Sequence, residues 1–147
     1  MSLSGIKLFP LNQISLKEGD VRHALKDDDL GYTGFGEAYF SYVEPGSIKA
    51  WKLHKRMTMN LIVPFGSVTF VFLDLSSDSP QNYRIESIGL SNYERIVVPP
   101  GIWFGFKGDN KSQSIVLNIA NIKHDPSEVE RLPVTNFNFD WQSLKNS

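Results

Sequence analysis

Apolar residues along this chain gather in short runs that are rich in β-branched and aromatic side chains. Turn-forming sequences separate these runs roughly every ten residues, a spacing typical of a β-sandwich or barrel. The run "SVTFVFLDL" is apolar on both faces and is therefore predicted to be a central strand. The pattern predicts an all-β fold with strands in these runs: "EAYFSYV", "MNLIVPF", "SVTFVFLDL", "YRIESIGL", "ERIVVPP", "IWFGF" and "QSIVLNIANI".

Turn signals bound these strands, whereas helix signals are scarce. Turns are predicted at 44–46, 65–67, 76–80, 99–101 and 108–110 from their glycine, proline and short polar residues. The segment Asp125-Pro126-Ser127-Glu128 offers a capping acceptor and a proline at the first helical position, which predicts at most one short helix, through Val129. The last stretch, "TNFNFDWQSLKNS", has no strong period and is interpreted as a docking tail.

The bulk composition limits the class of protein. Residues 1–147 are expected to form a single domain, because this length supports one core and is short for two. The 15 basic residues nearly balance the 16 acidic ones, so neither nucleic acid nor a membrane surface is expected as a partner.

Cysteine and hydropathy bear on the compartment. The chain has no cysteine, which excludes disulfides, thiolate zinc sites and cysteine nucleophiles. No apolar window approaches the roughly 20 residues of a membrane span. We therefore expect a soluble protein located in the cytoplasm.

One histidine lies in a spacing that resembles a known superfamily. Gly46 is followed after five residues by Lys52-Leu53-His54, then after four by Met59 and after six by Gly66. This is similar to the first cupin motif, Gly-x5-His-x-His-x4-Glu-x6-Gly, and "PPGIWF" at 99–104 is similar to the second, Pro-x-Gly-x2-His. The resemblance implies the cupin double-stranded β-helix, a jelly-roll barrel, in which residues two apart on a strand face the interior.

The metal ligands of cupins are mostly replaced here. The resemblance places the four ligand positions at Lys52, His54, Met59 and Phe104. Only His54 is an ordinary ligand of a hard or borderline metal, since lysine is protonated at neutral pH and phenylalanine has no donor atom. We therefore expect no metal site and no other cofactor.

A closer resemblance within the cupins covers roughly residues 19 to 131. Several segments are similar, in order, to the dTDP-4-dehydrorhamnose 3,5-epimerase family, a metal-free branch of dTDP-sugar isomerases. The resemblance implies an epimerase or isomerase of a nucleotide-diphosphate sugar, such as a dTDP-4-keto-6-deoxyhexose, in deoxysugar and polysaccharide biosynthesis. It also implies a homodimer. The similar segments are "GDVRHAL", "PGSIKAWKLHKR", "GSVTFVFLDLSSDSP", "NYERIVVPPGIWFGF" and "HDPSEVER".

The family reaction assigns catalytic roles by position. A base removes the proton next to a ketone, and an acid returns a proton to the opposite face of the enolate. The resemblance maps the family's histidine base to His54 and its tyrosine acid to Asn118, while Lys52 shares the face of His54 and is a second catalytic candidate. The carboxylate that partners the family's histidine lies in a C-terminal extension, so it is expected to be absent or replaced in this chain.

Basic and aromatic residues are candidates for binding the substrate. Arg22, with Asp20 before it, matches the family's phosphate-binding arginine, although the two could equally form a surface ion pair. Lys49 and Arg56 could face phosphate or lie outside the barrel strand. Trp51 and Trp103 could stack on a base or sugar, although core packing is the commoner role of such rings in a small barrel.

Three functions remain open from the sequence. The first is an epimerase, and the second is a ketoisomerase in which one base carries a proton between adjacent carbons on one face. The related 3,4-ketoisomerases have a His-x-His pair where this chain has Lys52-x-His54. The third is a non-catalytic cupin that binds a nucleotide sugar or another small ligand, which the replaced acid and the missing carboxylate favour.

Overall fold

The computed structural model describes residues 3–75 and 82–144, and it is almost entirely β-structure. The predicted turn at 76–80 lies outside the described residues. Two larger sheets and one small sheet contain strands with these bounds: β1 Lys7–Pro10, β2 Gln13–Ile14, β3 Val21–Arg22, β4 Glu37–Val43, β5 Ile48–His54, β6 Met59–Phe65, β7 Ser67–Leu73, β8 Tyr83–Gly89, β9 Glu94–Val98, β10 Trp103–Gly108, β11 Ser114–Ala120 and β12 Val129–Arg131.

Each larger sheet has five antiparallel strands. The first sheet has the order β1-β9-β6-β11-β4 and the second β12-β5-β10-β7-β8, while β2 and β3 pair separately. Strands that follow each other in the chain, such as β4 and β5, therefore often lie in different sheets. This crossing between two antiparallel sheets confirms the predicted all-β jelly-roll fold.

The main core lies between the two sheets. It contains Leu61 and Val63 of β6, which face Phe70 and Phe72 of β7, and all four are at most 3% exposed. On β7 the alternate residues Val71 and Leu73 are also fully buried, in a second cluster on the outer side of the sheet. The strand predicted to be central is therefore buried on both faces.

The C-terminal stretch covers the outer side of the second sheet. Phe137, Trp141 and Leu144 pack with Trp51 and Trp103 in the second apolar cluster, so the predicted docking tail does dock. Gly105 on β10 makes room for it, because a Cβ there would lie 3.1 Å from the Trp141 ring and 2.5 Å from the Ala50 Cβ. The tail thus packs on the outer face of β5 and β10.

Helical structure is limited to single turns in the described ranges. The 3₁₀ helices are Leu3–Gly5, Pro126–Glu128, Val134–Asn136 and Trp141–Ser143. Pro126–Glu128 follows the predicted cap, because the Asp125 side chain accepts a hydrogen bond from the Ser127 N–H. This turn ends before Val129, which pairs with β5 as the first residue of β12, and it is one of four such turns in the described residues, where at most one helix was predicted. No helix in the described part is long and apolar enough to cross a membrane.

Candidate active site

His54 ends β5 and forms a buried pair with an acidic residue that follows much later in the chain. Its Nδ1 lies 2.6 Å from Oε1 of Glu128, and the two residues are 3% and 1% exposed. Glu128 ends the turn Pro126–Glu128, immediately before β12, which pairs with β5. The docking of β12 on β5 therefore brings the carboxylate to the imidazole.

Backbone groups hold the Glu128 carboxylate in its charged form. Its Oε2 accepts hydrogen bonds from the N–H groups of Arg56, at 3.0 Å, and Met57, at 3.2 Å. Burial alone would raise the pKa of Glu128, but the hydrogen bonds from His54 and from these backbone groups outweigh it and keep the pKa below its usual value. Glu128 is therefore an acceptor on both oxygens.

The charged carboxylate fixes the tautomer of His54. Burial lowers the pKa of His54 below its usual value, and it outweighs the opposite effect of Glu128, so the imidazole is neutral at neutral pH. Since Glu128 accepts, the single ring proton lies on Nδ1 and the lone pair lies on Nε2. Nε2 is buried and finds no hydrogen-bond partner among the described residues. This arrangement is that of a general base held by a carboxylate.

A cavity of about 410 Å³ lies beside this pair, between the two sheets. Lys52 lines it and shares a strand face with His54, two residues away. Phe104 of β10 also lines it, and its ring lies nearly parallel to the His54 ring, 6.0 Å away. The residues around the cavity are Tyr39, Ser41, Lys49, Ala50, Trp51, Lys52, Met59, Leu61, Phe104, Phe106, Val116, Asn118, Arg131 and Leu132.

Three cationic side chains lie on the β5–β12 side of the cavity. Lys52 is paired directly with Arg131 across the two strands, and Lys49 lies further along β5. Burial lowers the pKa of Lys52, and the nearby positive charge of Arg131 lowers it further. This side of the cavity is suited to bind an anionic group.

A bulge in β5 brings Lys49 to the cavity. On β10, Phe104 pairs with Lys52 and Gly105 pairs with Ala50, so Trp51 is an extra residue in β5. An extra residue reverses the alternation of faces, and Lys49 therefore lines the same cavity as Lys52 although the two are three residues apart.

The opposite wall of the cavity belongs to the first sheet. Tyr39 of β4 and Asn118 of β11 are cross-strand partners, and Asn118 Nδ2 donates a hydrogen bond to the Tyr39 hydroxyl at 3.0 Å. The cavity therefore has Lys52 and Phe104, the neighbours of His54, on one sheet and a phenol on the other.

Known proteins of the same fold identify the family. A crystal structure of a dTDP sugar isomerase from Desulfovibrio desulfuricans G20 is 34% identical to this chain with a TM-score of 0.90, and the match covers 96% of this chain and 93% of that one. The chain belongs to the dTDP-sugar isomerase family of cupins. No protein-family model matches the sequence.

Two curated proteins are also similar to this chain. One is the "Probable low-salt glycan biosynthesis epimerase Agl13" of Haloferax volcanii, 30% identical over 102 residues, a match that spans only 65% of either protein. The other is the "Spore coat polysaccharide biosynthesis protein SpsL" of Bacillus subtilis, 23% identical over 147 residues, which covers 96% of this chain and 97% of that protein.

The structure brings together several of the residues that the family resemblance singles out. Lys49, Lys52 and Asn118 line one cavity, whereas His54 is not among its lining residues and lies behind Phe104, with 6.0 Å between the two ring centres. Met59 and Phe104, which occupy two metal-ligand positions of other cupins, line the same cavity. Within residues 3–75 and 82–144 no group of three or more histidine, cysteine, aspartate or glutamate side chains is arranged to hold a metal ion.

Arg22 and Asp20 lie away from this cavity within the chain. The Arg22 guanidinium donates a hydrogen bond to the Pro64 carbonyl at 2.7 Å and lies 5.9 Å from the Tyr93 ring centre. Its distance to the Asp20 carboxylate is 4.0 Å, with both side chains partly exposed. The structure therefore shows the surface ion pair, and it does not place Arg22 in the cavity of its own chain.

Three other residues that were candidates for substrate binding have side chains that point away from the cavity. Arg56 points outward and pairs with the exposed Asp125 at 2.8 Å. The Trp103 ring packs on Phe137 in the outer cluster, outside the cavity lining. Trp51 touches the cavity, but its indole packs among the outer aromatic rings and donates to the Val134 carbonyl at 3.2 Å. Its position in the β5 bulge turns the ring to that side.

Sequence reasoning missed three residues of the site. The carboxylate partner of the histidine was expected to be absent or replaced, and the structure shows it replaced by Glu128. In the sequence, Glu128 has a place only in the short helical turn predicted after Asp125, which carries no signal for a contact with His54. Tyr39 and Arg131 carry no local signal, and only the pairing of β4 with β11 and of β12 with β5 places them at the cavity.

Proposed function

We propose that this protein is an epimerase or isomerase of a nucleotide-diphosphate sugar, with a dTDP-4-keto-6-deoxyhexose as substrate. The observation that carries the proposal is the buried His54–Glu128 pair beside the cavity, at 2.6 Å. A neutral imidazole with a free Nε2 is the base that removal of a proton next to a ketone requires. The family relationship supports the same chemistry.

The base would act with help from Lys52. When Nε2 of His54 takes the proton from the carbon next to the ketone, negative charge develops on the ketone oxygen. Lys52 lies on the same strand face as His54 and lines the cavity, so its ammonium can donate a hydrogen bond to that oxygen. The low water content of a partly buried site strengthens this interaction.

The cationic side of the cavity supports a nucleotide-linked substrate. Lys49 and Arg131 flank Lys52, and a guanidinium next to ammonium groups is suited to the oxygens of a diphosphate. The sugar would then lie deeper in the cavity, between Phe104 and the Tyr39–Asn118 wall. This orientation places the keto sugar beside His54.

The buried pair favours an enzyme over a non-catalytic binding protein. Burying a carboxylate costs free energy, and here that carboxylate holds one tautomer of a histidine. A binding protein has no need of a fixed base, whereas proton abstraction requires one. The expected lack of a carboxylate partner for His54 favoured the binding protein, and Glu128 is such a partner.

The decisive experiment follows solvent deuterium into the sugar. We expect the wild-type protein, incubated with dTDP-4-keto-6-deoxyglucose in deuterated water, to incorporate deuterium next to the ketone, as measured by NMR and mass spectrometry. His54→Asn removes the base and should lower the exchange rate by about 10²–10⁴-fold. The matched control is His124→Asn, since His124 is exposed in a loop and should leave exchange unchanged.

Binding of thymidine diphosphate separates loss of catalysis from loss of the site. His54→Asn should still bind thymidine diphosphate, because the cationic side chains of Lys49, Lys52 and Arg131 are unchanged in this variant. Wild-type binding without any exchange would point to the binding protein instead of the enzyme. Absence of both binding and exchange would exclude a thymidine-linked substrate.

We also propose that the protein acts as a homodimer. The first sheet exposes Phe40 of β4 and Phe65 of β6, with 62% and 54% of their surface accessible, as an apolar face without a covering segment in the described part. Exposed aromatic residues of this size are typical of interfaces. The family resemblance supports the same assembly.

A charge on this face should break the dimer. Phe40→Asp is expected to shift the sedimentation coefficient from dimer to monomer, because a carboxylate would be buried in an apolar interface. Ile85→Asp is the control, since Ile85 is 47% exposed on β8 of the other sheet and should not change the assembly. A monomeric wild type would contradict the proposal.

The proposal includes a cytoplasmic role in polysaccharide biosynthesis. Both curated relatives carry names from glycan or polysaccharide biosynthesis. A domain without cysteine needs no oxidising compartment for folding, which supports the cytoplasm.

A further inference from the structure

Inversion of a carbon requires groups on both of its faces. A base on one side removes the proton, and an acid on the other side must return one. The base, His54, belongs to β5 of the second sheet, so a complementary acid would have to come from the first sheet. At the position where the family resemblance places that acid, this chain has Asn118, whose amide is no proton donor of suitable strength.

Tyr39 supplies a phenol next to Asn118, which occupies the position of the family's acid. Strand β4 alternates cleanly, so that Tyr39 and Ser41 line the cavity while Phe40 and Tyr42 face outward. Tyr39 is the direct cross-strand partner of Asn118, and such partners have Cβ atoms about 5 Å apart. The phenol of Tyr39 therefore lies one strand away from the position of the family's tyrosine, in the same wall of the cavity.

The hydrogen bond from Asn118 leaves the phenol proton available. Asn118 Nδ2 is the donor and the Tyr39 oxygen is the acceptor, at 3.0 Å, so the O–H of Tyr39 is not used in this bond. Burial raises the pKa of Tyr39, although the Asn118 hydrogen bond opposes it, and the hydroxyl is therefore protonated at neutral pH. A positioned and protonated phenol is what an acid in this place needs.

We propose that Tyr39 is the general acid that protonates the enolate on the face opposite to His54, and that the protein inverts the carbon next to the ketone. This inference rests on the proposed sugar-nucleotide function. In the step, His54 Nε2 takes the proton as the C–H bond breaks, and the electron pair forms the enolate. A new C–H bond then forms with the Tyr39 proton. Solvent reprotonates the resulting phenolate and removes the proton from His54, so no oxidant or reductant is needed.

The test measures two rates in the Tyr39→Phe variant, the rate at which the sugar is inverted and the rate at which it exchanges hydrogen for deuterium. Without the acid, His54 can still remove the proton, exchange it with deuterated water and return deuterium to the same face. We expect Tyr39→Phe to form the inverted sugar about 10²–10⁴-fold more slowly than the wild type. Deuterium incorporation into the unreacted starting sugar should continue within about tenfold of the wild-type rate. A merely structural role of Tyr39 would lower both rates together.

The matched control is Tyr42→Phe, because Tyr42 lies on the same strand with its side chain outward. It should leave inversion and exchange unchanged. Normal inversion by Tyr39→Phe would overturn the inference while leaving the sugar-nucleotide function intact. A wild-type protein that moves the ketone between adjacent carbons without inversion would also overturn the inference and leave the sugar-nucleotide function intact. No exchange by the wild type would instead contradict the proposed function itself.

Discussion

Replacement of Glu128 by glutamine is expected to lower kcat/KM by about 10³-fold, although the two side chains have nearly the same shape. Oε1 of Glu128 accepts from His54, and Oε2 accepts from the N–H groups of Arg56 and Met57. Glutamine has only one oxygen and cannot satisfy both sets of donors. One side of the side chain must therefore present an NH₂ group.

Both orientations of glutamine damage the site. If its oxygen faces the backbone, its NH₂ faces Nδ1 of His54, the ring proton moves to Nε2 and the base is lost. If its oxygen faces His54, two backbone N–H groups are left without an acceptor, which costs about 1–3 kcal/mol for each group. The ¹⁵N chemical shifts of the imidazole report the tautomer directly, and the deuterium-exchange rate reports catalysis.

Glu130→Gln is the matched control for this prediction. Glu130 is two residues away, and in the described part of the chain its carboxylate forms an exposed ion pair with Lys55, at 3.5 Å. Pairs of this kind contribute little, so activity and stability should both stay at wild-type levels. A Glu128→Gln protein with wild-type exchange and an unchanged tautomer would contradict the role that we assign to the pair.

Replacement of Trp141 by alanine is expected to lower the free energy of unfolding by about 3–5 kcal/mol. Trp141 is 6% exposed and contacts Trp51, at 5.3 Å between ring centres, and Phe139, at 5.0 Å. Its removal would leave a cavity over Gly105 that the stiff β5 and β10 strands cannot fill. The loss corresponds to a decrease in Tm of roughly 10 °C, measured by calorimetry or circular dichroism.

Trp141→Phe is the conservative control. The indole N–H is buried and has no hydrogen-bond partner in the described part of the chain, so phenylalanine removes an unsatisfied donor while it keeps an aromatic ring. We expect its free energy of unfolding to change by less than about 1.5 kcal/mol. If Trp141→Ala unfolded within about 1 kcal/mol of the wild type, the tail would not support the sheet.

The fold was predictable because its signals are local. The doubly apolar pattern of β7 depends on neighbouring residues alone, and this strand appears with the expected burial on both faces. The turn at 65–67 is equally local. A Cβ at Gly66 would overlap Ser114, and its φ of +82° suits glycine.

The site was predictable only in part, because strand register is not a local property. The two-residue spacing of Lys52 and His54 predicts that both lie on one strand face, and this spacing does not cross the bulge. The same alternation left Lys49 undecided, because the extra residue Trp51 lies between it and Lys52. One inserted residue changes which side chains reach the cavity.

The sequence by itself determined the β-rich fold, the family resemblance and His54 as the candidate base. Only the tertiary structure decided what surrounds that base. Glu128 is separated from His54 by 74 positions, and Asn118 is separated from Tyr39 by 79. Such contacts depend on which strands pair and in which register, and these are set by the packing of the whole barrel and not by the residues next to each side chain in the chain.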